Sequence, residues 1–162
     1  MNTYACVRTD NMSGTVEGKN LVSLKYDGDI ENGCVVKVGD LVAGEREIRT
    51  ATAPAKNAAL RDLALIASPE VIKGKTYHSI ANFINEKGSI CRGYRFTTAD
   101  TFSLTKAGFA SGASLKVGAF VELNGTTKLN AVDAVTGTTS EPVTVVGKIV
   151  AIEGEWYVIE VA

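Results

Sequence analysis

Enzymatic chemistry needs nucleophiles, bases or metal ligands at workable spacing, and this chain offers few. It has one histidine, His78, and three cysteines, Cys6, Cys34 and Cys91. A thiol beside an imidazole is a minimal nucleophile–base pair, which makes His78 with Cys91 the one conceivable dyad. Cys91 lies in an apolar, strand-like run, where a thiolate is disfavoured. His78 precedes a predicted helix start, a common place for a capping or surface residue, and no serine-triad companions stand out. The odd cysteine count and long spacings argue against a disulfide framework. All three thiols are therefore read as small buried hydrophobes.

Two carboxylates could serve as a glycosidase acid and base. The candidates are Glu45, Glu47, Asp100, Glu122, Glu153, Glu155 and Glu160, and no spacing singles out a pair. Isolated acidic residues on strands normally form a solvated face. The stretch DGDIENG at 27–33 resembles half of an acidic calcium loop, but the later bidentate Glu is missing in register. Turn chemistry explains it better, because Asp27-Gly28 and Asn32-Gly33 both tolerate left-handed backbone angles. No C-x-x-C, H-E-x-x-H or glycine-rich phosphate loop occurs. Arg92, Tyr94, Arg95 and Phe96 mix basic and aromatic residues as single-strand nucleic-acid platforms do, but one such strand is weak evidence. The lone tryptophan, Trp156, lies in an apolar hairpin and reads as core or interface. No catalytic, cofactor-binding or metal-ligating residue is assigned, and the expectation is a non-enzyme without a cofactor.

The chain has 162 residues, suited to one domain with a real core. It is 45% hydrophobic and 22% charged, with formal net charge −1. Nucleic-acid binders carry a basic excess that neutralises phosphates, so no nucleic-acid partner is expected. No apolar run approaches the roughly 18 residues that span a bilayer, and the N-terminus lacks a basic-then-apolar signal pattern. No membrane partner is expected, and synthesis in the cytoplasm is.

Residues 1–28 are polar apart from NLVSLKY at 20–26, a short alternating strand, and read as an extended N-terminal arm that must lie on the domain or on a neighbour. Residues 29–162 read as a single β-rich domain. CVVKVGDLV, REIRTATA, a buried strand centred on 62–67, SICRGYRF, DTFSLT and later hairpins at Asn124-Gly125 and Glu153-Gly154-Glu155 follow in turn. Ser79 as N-cap, an Ile80/Phe83/Ile84 stripe and Gly88 as C-cap predict one short helix. The pattern predicts about eight to ten short strands in a mainly β, antiparallel barrel or sandwich. No βαβ spacing appears, which argues against a parallel sheet.

One stretch recurs. VKVGDLV at 36–42 returns as LKVGAFV at 115–121 and, more loosely, as VVGKIV at 145–150. The residues after the glycines, Asp40, Ala119 and Lys148, differ, so a repeated ligand loop is a poor explanation. Gly39, Gly118 and Gly147 are predicted to mark bends, bulges or turns at strand ends.

The ordered segments DIENGCVVKVGDLVAGERE, ASPEV, FINEKGSICRGYRFTTADTFSLT, KVGAFVEL and VGKIVAIEGEWYVIEVA resemble a family of small virion proteins of tailed bacteriophages of Gram-positive bacteria. The resemblance runs from about residue 20 to the C-terminus, and its motifs are structural turns. It implies a capsid decoration (cement) protein that binds the outside of the head shell, with the major capsid protein and neighbouring copies of itself as partners. The location it implies is the virion, after synthesis in the host cytoplasm. A tail or head–tail connector component is the alternative within that setting. A carbohydrate-binding β domain is the alternative of another class.

Overall fold

Two runs, Val35-Val36 and Leu63-Ala64-Leu65-Ile66, are apolar without alternation, and every one of these residues is buried. A strand reads this way when both its faces are covered. The computed structural model describes residues 3–71 and 79–162 and shows what covers them. Among the described residues eleven strands form two units. Five of them, β2 (Leu21–Tyr26), β3 (Val35–Leu41), β4 (Ile48–Thr52), β5 (Leu63–Ile66) and β6 (Ile90–Arg95), close a barrel in the order β2-β4-β3-β5-β6. The other six are β1 (Val7–Asn11), β7 (Thr101–Thr105), β8 (Phe120–Glu122), β9 (Asn130–Val132), β10 (Val145–Glu153) and β11 (Trp156–Val161). They make an antiparallel sheet in the order β1-β7-β11-β10-β8-β9.

The barrel interior holds Leu24, Ile30, Cys34, Val36, Ala51, Ala64, Ile66 and Cys91. The second core lies between barrel and sheet. There Val35, Leu63 and Leu65, on the outer face of β3 and β5, meet Phe102, Leu104, Val121, Ile149 and Ile159. Fully burying such a side chain stabilises by roughly 1.5–3 kcal/mol, so this shared wall binds the two units firmly.

The mainly β, barrel-forming architecture agrees with the sequence reading, and three details differ. First, β2 and β4 pair in parallel, from Ser23 opposite Ile48 to Tyr26 opposite Ala51. A closed ring with an odd number of strands cannot alternate direction all the way round, so five strands force at least one parallel neighbour. The intervening β3, not a helix, supplies the reversal. Second, the predicted helix is a single 3-10 turn, Ile80–Asn82, one of five such turns. Ser79 does cap it, its Oγ accepting the Ala81 N–H at 3.2 Å, and Gly88 does adopt a left-handed φ of 86°. Between them the chain turns extended at Phe83, and Asn85 bridges to Ile30. Third, residues 3–28 are built into the body and do not form an arm. β1 edges the sheet, β2 is a barrel stave, and Met12 and Leu24 are buried in separate cores. Among the described residues no helix is long and apolar enough to cross a membrane.

Of the three recurring glycines, two sit at register shifts and one in a left-handed turn. Gly39 sits where the β3–β4 register shifts, with the Thr50 side chain where a Cβ would go. Gly147 sits at a register shift against β8, and a Cβ there would strike the Glu160 carbonyl. Gly118 has φ 91°, in the turn before β8. A fourth constraint carried no sequence signal. A Cβ on Gly93 would lie 2.6 Å from Leu24 Cδ1 and 3.0 Å from Val22 Cγ1. The interior of a five-stranded barrel is too narrow for a side chain there.

Replacing Gly93 or Gly147 with Val should therefore destabilise by about 1–3 kcal/mol or more, and Gly118→Val by a similar amount through backbone strain. Gly18→Ala, where a Cβ meets nothing within 4 Å, serves as the control. Thermal melts of the four variants check this. Unchanged midpoints for Gly93→Val and Gly147→Val would contradict the account of the barrel and of the bulge.

Candidate functional site

The candidate carboxylates divide by environment. Glu45, Glu47, Glu153, Glu155 and Glu160 are exposed. Asp100 and Glu122 are buried, contrary to the expectation of a solvated face. Asp100, in the turn between β6 and β7, accepts the Ser13 N–H at 2.9 Å and the Ser13 hydroxyl at 2.7 Å on Oδ1. Its Oδ2 accepts the Thr97 N–H at 3.0 Å. Glu122, at the end of β8, accepts the Thr136 N–H at 3.1 Å and the Thr136 hydroxyl at 2.6 Å. Each carboxylate clasps a different loop, and they share no partner. Buried carboxylates so satisfied act as struts.

The three acidic side chains of the stretch 27–33 turn to separate partners. Asp27 pairs with Lys87 Nζ at 2.8 Å, which holds its carboxyl below the ordinary range, and Asp29 accepts the Lys87 N–H at 2.8 Å. Glu31 pairs with Lys128 at 3.1 Å and accepts the Ala5 N–H at 2.7 Å. With ligands pointing to separate partners there is no cation cradle, and among the described residues no cluster of His, Cys, Asp or Glu could hold a metal.

Cys6, Cys34 and Cys91 are buried and free, as expected of small hydrophobes. Burial is the first cause raising each thiol above its ordinary pKa. Cys91 faces the barrel interior, and His78 lies outside the described residues. The basic–aromatic strand does not form a stacking platform. Phe96 is buried against Phe102, ring centroids 5.7 Å apart, Tyr94 packs on the same core, and Arg95 bonds the Arg61 carbonyl at 3.1 Å.

Two surfaces among the described residues combine apolar and charged side chains. The first is a cavity of about 600 Å³ walled by Tyr4, Ile80, Trp156 and Tyr157, with Lys106 and Glu155 at its edge. Sequence-distant segments build it. The Tyr4 N–H donates to the Ala81 carbonyl at 2.7 Å, joining the N-terminal segment to the 3-10 turn that raises Ile80. The β10–β11 turn at Gly154 presents Glu155, Trp156 and Tyr157. Tyr157 packs edge-on to Phe109 at 5.7 Å. The Arg8 guanidinium lies 3.8 Å above the Trp156 ring, a cation–π stack. Trp156, 8% exposed, is covered by these neighbours and forms a wall of the cavity.

The second surface is the outer face of the sheet. Ile149 and Ile159 point to the core, so alternation sends Lys148, Val158 and Glu160 outward. The same alternation turns Val150 outward, 42% exposed, at the register shift that follows Ile149. The Gly118 N–H bonds the Ile149 carbonyl at 2.8 Å, which brings Val117, 58% exposed, beside that patch. Lys148 lies opposite Glu160, its ammonium 5.4 Å from the Phe120 ring.

Neither surface was singled out from the sequence. The cavity draws on residues 4, 80, 106 and 155–157, which no local spacing connects. Val150 lies on β10 and Val117 in the turn before β8, and no local pattern in the sequence joins the two. No family model, curated protein or solved structure matches this chain.

The thiol environments generate a measurable expectation. Each raised pKa means the unfolded chain ionises its thiols first. Their contribution to stability is therefore constant below the ordinary thiol pKa and falls as pH rises above it. At neutral pH a soluble disulfide reagent should label the native protein slowly and all three thiols rapidly in denaturant. Fast native labelling of Cys91 would show that the barrel interior is open.

Proposed function

We propose that the chain is a virion structural protein, a capsid decoration protein that binds the outer surface of a tailed-phage head and stabilises the shell. The observation that carries this reading is the ordered resemblance of five segments to head proteins of that group. The molecule's physical character supports it. The two carboxylates buried in the body serve as loop struts, and the surface offers an aromatic cavity and an apolar patch ringed by charge. Interfaces of this kind combine an apolar centre with a polar rim. Repetition over a shell makes a modest affinity per copy sufficient. The partners are the major capsid protein and neighbouring copies of this chain.

The test is to mix purified protein with undecorated expanded shells and sediment them. Binding in a stoichiometry set by the shell subunits is the expected outcome. Binding only to tails, or to a single vertex, would move the protein to the connector or tail. Absence of binding at micromolar concentration would overturn the reading. Ile80→Asp, at a half-exposed cavity wall, is expected to fold normally and to weaken shell binding by about tenfold, the equivalent of 1.4 kcal/mol.

A further inference from the structure

The dipeptide Asn-Gly occurs twice, at Asn32–Gly33 and at Asn124–Gly125. A glycine after asparagine has no side chain to shield its own backbone nitrogen, so that nitrogen can attack the asparagine carboxamide. The fold puts the two copies in opposite surroundings. Asn32 is buried, and its Nδ2 donates to the Ser68 carbonyl at 2.9 Å. Its Oδ1 accepts the Ser68 N–H at 3.0 Å and Asn85 Nδ2 at 3.1 Å. The Gly33 N–H, the would-be nucleophile, donates to the Ile66 carbonyl at 2.7 Å. Electrophile and nucleophile are both held.

Asn124 stands at the turn after β8, with Gly125 and Thr126 exposed. Its Oδ1 accepts the Thr126 N–H at 3.0 Å and the Thr126 hydroxyl at 2.7 Å. Neither the Asn124 Nδ2 nor the Gly125 N–H has a hydrogen-bond partner among the described residues. The carbonyl is thus polarised by two donors, the leaving group is free and the nucleophile is free.

We propose that Asn124 is a site of spontaneous deamidation, and that the fold protects Asn32 from the same reaction. The Gly125 nitrogen gives its proton to solvent base, and its electron pair forms the N–Cγ bond. The Cγ–Oδ1 π pair moves onto Oδ1, where the two Thr126 donors stabilise the charge as an oxyanion hole does. Collapse of this intermediate breaks the Cγ–Nδ2 bond. Ammonia leaves with a proton from solvent, and a cyclic imide remains. Water opens the imide at either carbonyl, giving aspartyl or isoaspartyl. In total, asparagine and water become an acid and ammonia. The product adds a negative charge, and the isoaspartyl form inserts a methylene into the backbone. The turn it alters packs on the barrel, where the Thr127 carbonyl accepts the Val35 N–H at 2.7 Å and the Lys56 stem lies against Gly125.

The experiment ages the native protein in warm, mildly alkaline buffer, then digests it with trypsin and compares peptides 26–37 and 117–128 by mass spectrometry. Conversion of amide to acid should run more than about tenfold faster in 117–128, a gap of about 1.4 kcal/mol between the two barriers. The same comparison on urea-unfolded protein should bring the two rates together. Asn124→Gln should abolish the mass gain in 117–128, and Thr126→Val should slow it severalfold. Equal native rates would overturn the protection of Asn32. A 117–128 peptide that converts only after unfolding would overturn the reactive turn. An unaltered rate in Thr126→Val would remove the hydroxyl from the mechanism.

Discussion

The rest of the structure depends on β3 and β5 being buried on both faces. Val36, Ala64 and Ile66 fill the barrel, while Val35, Leu63 and Leu65 anchor the sheet. Neither unit is self-sufficient. A five-stranded barrel has room inside for little beyond eight buried side chains, and an open six-stranded sheet must bury one face. Each supplies the other's missing layer. The chain path enforces this, because β1 enters the sheet, β2–β6 close the barrel and β7–β11 return to the sheet. Pulling the units apart would expose the core between them, including the outer face of β3 and β5 and the inner face of the sheet.

Around that wall, buried polar groups act as fasteners. Asn32, Ser68 and Asn85 form a closed set that ties the barrel's first turn to two later segments. Asp100 holds Ser13 across the end of the sheet, and Glu122 holds Thr136. The Thr144 hydroxyl bonds the Ala58 carbonyl at 2.7 Å. Loops of this length carry many polar backbone groups that need partners when buried. A carboxylate accepting several hydrogen bonds answers that need at low cost because the bonds are charge-assisted.

Legibility in the sequence followed the range of the determining interactions. The strand over 63–66 and its preceding turn, the hairpin at Gly154 and the special role of Gly39, Gly118 and Gly147 were readable because apolar runs, turn residues and strand glycines are local. The helix after Ser79 was misread because its cap and glycine were genuine, but the pairing of Asn85 with Ile30 drew the chain extended. A stripe under three turns is too short to resist such a contact. The parallel β2–β4 ladder follows from ring closure, a property of five strands together that no single segment carries. The supposed arm failed for a related reason. Met12 is one apolar residue in a polar stretch, yet it is buried between the two units.

The position of Trp156 joins fold and function. In β11 its neighbours Tyr157, Ile159 and Val161 belong to the core side, so Trp156 is placed on the outer face. An indole left bare there would put a large apolar area in water. Arg8, from the edge strand two positions away in the sheet order, covers one ring face. The cavity beside it leaves a concave apolar site at the meeting of the N-terminal segment, the 80–82 turn and the last hairpin. Because these three segments are fixed by backbone hydrogen bonds and strand pairing, the cavity is preformed, and an apolar side chain entering it would meet little ordering cost. A preformed aromatic cavity on an otherwise polar rim is the physical signature of an anchor point. This is where the proposed shell contact would gain most per atom buried.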